Sequence, residues 1–154
     1  MKKENLIGTI FTVIALSIVV IGVVAFFIYQ QRWIGIIFLI LGFLHLVVLN
    51  MFGRDVKSVW PDIVFGIIDN GFLVVVALIG ADFAGILGAI VGGSAANAIT
   101  DGFAGIFEGW TAEYLSKHKI EEKRTALSSA LGKMAGCFFG AGIVLVIVWT
   151  IFSF

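Results

Sequence analysis

The stretch "IVFGIIDNGFLVVVALIGADFAGILGAIVGGSAANAITDGFAGIFEGW", residues 63–110, decides how this chain is read. It is apolar and glycine-rich, and more than twice the roughly 20 residues that a helix needs to cross a hydrocarbon core. Asp82 interrupts it near its middle. The stretch therefore reads as two spans, 63–81 and 83–110, joined by almost nothing and folded into a tight hairpin with Asp82 at its tip. Three more apolar runs, 6–29, 33–52 and 127–152, bring the count to five. The expected fold class is all-α: one polytopic membrane domain over residues 1–154.

Composition points the same way. Hydrophobic residues make up 60% of the chain and charged residues 13%, where a soluble domain carries about a quarter. The formal net charge is zero, so no basic footprint suggests nucleic acid. The single cysteine, Cys137, lies in an apolar run and cannot build a disulfide framework within the chain. The start, "MKKENLIGTIFTVIALSIVVIGVVAFFIY", has the basic opening of a signal peptide. Its apolar run is too long, and no small-residue cleavage site follows, so it reads as a retained first span. An enzyme is not expected, and neither is a permanently bound cofactor. There is no Ser-His-Asp order, P-loop, cysteine-rich metal box or dinucleotide fingerprint, and His45 and His118 fall on different elements.

Positive residues set the direction of the spans. With five spans, Lys2, Lys3, Arg54, Lys57, Lys117, Lys119, Lys123, Arg124 and Lys133 share one side. Of the ten basic residues, only Arg32 falls on the other. The N-terminus is expected in the cytoplasm and the C-terminus outside, in a prokaryotic plasma membrane. Trp60 and Trp110 then lie at the inner interface as aromatic anchors.

The acids carry the functional reading. Asp69 is seven residues past Asp62, so roughly 10 Å into the membrane, and Asp101 is nine residues before Trp110, roughly 13 Å from the same surface. The two arms of the hairpin thus hold aspartates at matched depth. Asn97, Asp101 and Glu108 share a helical face, which Ser94 extends. Asn70 adjoins Asp69, and Glu113 lies on the cytoplasmic extension. A charge at mid-membrane costs about 2.5–3.5 kcal/mol on insertion scales, so such residues should face protein or water. Oxygen ligands suit hard or borderline divalent cations. Carboxylates held close together repel one another and can exchange a metal for protons.

Simpler roles are open to the rest. Asn50 or Asn97 alone could hydrogen-bond between helices. Glu4, Asp55 and Asp62 read as solvated interface residues, and His45 as a packed, hydrogen-bonded histidine rather than a ligand. The segment "HKIEEKR", 118–124, reads as a solvated turn, although His118, Glu121 and Glu122 could collect cations there. Gly88 with Gly92, Gly105 with Gly109, and Gly132 with Gly136 and Gly140 form small-residue faces suited to close helix packing or dimerisation.

The segments "GIIDNGFLVVVALIGA" (66–81) and "GSAANAITDGFAGIFEGWTAEYLSKHKIEEKR" (93–124) resemble the vacuolar iron transporter family. That family has an Asp-Gly pair on one helix and an acid motif ending in Gly-Glu-Tyr on the next. Asp69 matches the first aspartate, with Asn70 inserted before Gly71. Glu113 and Tyr114 match the Glu-Tyr ending, with Ala112 in place of the glycine. In a second register, Glu108 or Gly109 approaches the same place. The resemblance implies a dimeric, five-span, proton-coupled exporter of ferrous iron or manganese with its path between subunits. Asp69 would be a transport-site ligand, and Glu108 or Glu113 a ligand or entrance acid. The chain would be a divergent member: the family's methionines are replaced by Ala104, Gly105, Gly109 or Trp110, its glutamate-rich cytoplasmic domain is missing, and two spans precede the match. The candidate metal residues are therefore Asp69, Asn70, Asn97, Asp101, Glu108 and Glu113. Expected partners are lipid, a second copy of the chain, divalent cations and protons. Alternative functions are a non-transporting scaffold or accessory subunit, or a small exporter of organic cations.

Overall fold

A computed structural model describes residues 6–118 and 125–151 of the chain. Lys2, Lys3, Glu4, Lys119, Glu121, Glu122, Lys123 and Arg124, used above for orientation and cation collection, lie outside the described residues. Among the described residues there are helices and turns and no strand. The order is α1 (Leu6–Phe27), α2 (Gln31–Met51), a 3-10 turn (Val56–Ser58), α3 (Trp60–His118) and α4 (Ala126–Leu145), which runs on as a π-helical turn (Val146–Ile151). Four of these helices are long and apolar enough to cross a membrane.

α3 is far longer than one crossing, and it turns back on itself. Its backbone leaves helical geometry at Ala84 (φ −144°, ψ 24°) and Gly85 (φ 58°, ψ −137°). Only glycine adopts the second pair without strain, so the reversal falls at Gly85 rather than at Asp82, which stays helical and exposed. Two antiparallel arms result, 60–83 and 86–118. They touch at Gly80 with Gly88, at Val76 with Gly92 and at Leu73 with Gly93. A Cβ on Gly92 would lie 2.7 Å from the Val76 carbonyl oxygen. Backbones this close let dispersion act over their whole length, which is how apolar helices associate where lipid cancels the hydrophobic drive.

The glycine ladder of α4 faces the first arm. Gly132 packs on Val59, Gly136 on the Ile63 carbonyl and Gly140 on the Ile67 carbonyl. Both partners advance by four, so α4 and arm 60–83 run parallel. α2 runs antiparallel to α4, because Gly35 meets Val146 and Gly42 meets Phe139. Edge-to-face pairs close that seam: Phe38 with Phe138, centroids 5.5 Å apart, and Phe43 with Phe139, 5.0 Å apart. Leu49, Val59, Leu127 and Leu131 form a buried cluster where α2 ends and α3 and α4 begin. α1 is peripheral. It packs on α2 and α4, and Thr9 is its one buried residue.

α4 starts on a capping box. The Thr125 hydroxyl accepts from the Ser128 backbone N–H at 3.2 Å, and Ser128 Oγ accepts from the Thr125 N–H at 2.9 Å. Thr125→Ala should cost about 1 kcal/mol, read as a lower thermal midpoint in detergent, and Thr125→Asp should recover most of it. An unchanged midpoint for Thr125→Ala would mean that tertiary packing alone holds this end.

Candidate functional site

The hairpin brings Asp69 against Thr100. With the reversal at Ala84 and Gly85, residues equally far from that pair along the two arms come level, and 69 and 100 are such residues. Asp69 is 5% exposed, and the Thr100 hydroxyl donates to its Oδ1. That hydroxyl has one proton. The alternatives it gives up are the carbonyls of Ala96 and Asn97, both 3.1 Å away. On the next residue Asp101 turns outward and is exposed. Its Oδ2 accepts from Asn97 Nδ2 at 2.9 Å. Asp69, Asn97 and Asp101 therefore gather around Thr100, but the two carboxylates do not face one another. Asp69 points between the arms and Asp101 away from them.

The other candidates separate from this group. Asn70, one residue past Asp69, is turned by the helix into a different cleft, between α1, α2 and α4. Glu113 is exposed on the second arm, twelve residues beyond Asp101 and so roughly 18 Å along the axis. Glu108 lies on the helix, but its side chain is outside the described residues. No group of three or more His, Cys, Asp and Glu side chains able to hold a metal forms among the described residues. Among the described residues, Asp69 and Asp101 are thus separately bonded acids.

Asp62 corrects the sequence reading. It was expected to be solvated at the interface; instead it is 8% exposed, and its Oδ1 accepts from Ser129 Oγ at 2.9 Å. The cause is the close seam between arm 60–83 and α4, which covers the Asp62 side chain beside Gly132. Asp55 does sit at the surface, where its side chain accepts from the Lys57 N–H at 2.9 Å and caps the 3-10 turn. His45 is fully buried, its Nδ1 donates to the Leu41 carbonyl at 2.7 Å, and its ring packs on Phe138.

Thr100 escaped the sequence reading. A threonine within a membrane helix ordinarily bonds back to its own carbonyls, so nothing in its local sequence marks it. Counting from the expected tip at Asp82 pairs residue 100 with Val64; the match with Asp69 appears only once the reversal is placed at Ala84 and Gly85.

Fold and site together define an all-helical integral membrane protein with a buried acid at the centre of its hairpin. No family model, no curated protein and no solved structure matches the chain.

Proposed function

We propose that this protein carries a divalent metal cation, ferrous iron or manganese, out of the cytosol in exchange for protons. In this reading the hairpin arms are separate crossings, which makes five, with the N-terminus cytoplasmic and the C-terminus outside. The observation that carries it is the outward-facing Asp101. A carboxylate at that depth facing lipid would cost about 2.5–3.5 kcal/mol or more, so its face calls for water or a second protein surface. Beside it, Gly102, Gly105 and Gly109 leave open space at their Cβ positions. They form a small-residue stripe on which a second copy of the hairpin can lie closely. Two copies would bring two Asp101–Asn97 pairs to one path, with Asp69 behind each, reached through Thr100. Oxygen-rich sites of this kind suit hard or borderline cations. The likeness of residues 66–81 and 93–124 to the vacuolar iron transporters supports the same reading.

A non-transporting scaffold is the second reading. It draws on the fact that Asp69 and Asp101 each have a hydrogen-bond partner within one chain, as structural acids do.

Flux in proteoliposomes separates the two. Asp69→Asn and Asp101→Asn should each cut iron or manganese flux by about tenfold or more, equivalent to losing at least about 1.4 kcal/mol of cation stabilisation. Undiminished flux in both variants would discard the site. No flux from the native chain, together with a stoichiometric partner on isolation, would establish the scaffold.

A further inference from the structure

We propose that the cleft between α1, α2, arm 60–83 and α4 holds an anionic phospholipid of the bilayer, with one acyl chain inside and the phosphate at Lys133. The cleft is about 420 Å³, within the roughly 300–1,000 Å³ usual for bound small molecules. Its walls are Val13 of α1, Phe38 of α2, and Ala130, Met134 and Phe138 of α4. Lys133 and Asn70 also line it, and the Lys133 ammonium lies to one side over the Phe65 ring. An apolar slot with one cation and one amide donor matches an acyl chain with a single negative head.

Lys133 has a reason to seek an anion. It is seven residues past Ala126, so roughly 10 Å along the helix from the start of α4. Its ammonium lies 4.9 Å from the centre of the Phe65 ring, and it forms no ion pair among the described residues. A ring face offsets only part of what a charge costs at that depth. A lipid phosphate drawn in from the near leaflet would supply the rest, as basic pockets between membrane helices do for anionic headgroups. The opening favours lipid over a soluble anion. α1 rests on α2 and α4 but scarcely on arm 60–83, so helix packing does not close the side of the cleft between α1 and that arm.

The proposal is independent of cation transport, and its test reads lipid retention. The purified full chain, delipidated in detergent, is titrated with phosphatidylglycerol and with phosphatidylcholine of the same chain length and weighed by native mass spectrometry. One phosphatidylglycerol should be retained per chain, about tenfold more than phosphatidylcholine. Lys133→Gln should erase that preference and Lys133→Arg keep it. Ala130→Phe, which fills the cleft and leaves the ammonium, should lower retention of both lipids, and inorganic phosphate at equal concentration should not displace phosphatidylglycerol. Equal retention of the two lipids, a preference that survives Lys133→Gln, or displacement by inorganic phosphate alone would each overturn it. If Lys133→Gln does not fold, the lipid comparison on the native chain, the Ala130→Phe variant and the phosphate competition still decide.

Discussion

Gly136→Leu should leave little or no folded protein after detergent extraction. A Cβ at this position would fall inside contact distance of the Ile63 carbonyl oxygen, and Cα and carbonyl carbon of the same residue lie 2.9 Å away. These are backbone atoms of a helix, so no rotamer change relieves the clash. Overpacking a tight core costs about 1–3 kcal/mol and occasionally more. Here the whole seam between α4 and the first arm must open, so the upper end or beyond is expected. Gly105→Leu is the matched control, because nothing lies within 4 Å of its Cβ position in one chain. It should leave the monomer's midpoint almost unchanged, while weakening any dimer built on that face. Equal midpoints for Gly136→Leu and the native chain would mean that the α3–α4 seam is not what holds the bundle.

Thr100→Val should be the next most damaging change. Valine keeps the shape and removes the hydroxyl that donates to buried Asp69. Leaving a buried acceptor without its donor costs about 1–3 kcal/mol. Asp69→Leu combined with Thr100→Val removes both ends of the bond and should recover much of the loss, since replacing a buried polar pair by apolar groups is often neutral. Chemical unfolding of the four proteins gives the coupling directly, and a value of about 0.5–3 kcal/mol marks a true contact. Purely additive losses would show that Asp69 and Thr100 do not depend on one another. The double variant also bears on function: restored stability without flux separates an acid needed for transport from one needed only for folding.

The all-helical, membrane-type class was legible because hydropathy over 20-residue windows is a local property. The hairpin between residues 63 and 110 was legible for the same reason, since its apolar run is too long for one crossing. The turn was displaced by a few residues from the sequence expectation. Charge drew attention to Asp82, whereas the backbone needed the one residue type that tolerates φ 58°, and that is Gly85.

The site was only partly legible. The depth of Asp69 and Asp101 follows from helical rise, a one-dimensional quantity. Their directions do not, because a rotation of either arm about its axis moves a side chain from the seam to the lipid face without changing its depth. Thus Asp69 is buried, Asp101 is exposed and Asn70 is turned into another cleft, although all three were grouped by sequence. The burial of Asp62 likewise arose from α4, which is far away in the chain.

Sequence alone determined that this is a chain of apolar helices, that residues 63–110 fold back, and that acids lie within the apolar runs. Tertiary structure decided which of those acids has a partner, that Thr100 reaches Asp69, and that Lys133 shares a cleft with Asn70. The physical reason is that hydropathy and rise are summed along the chain. The facing of each helix is set by which glycines allow two backbones to meet, and that depends on residues far apart in sequence.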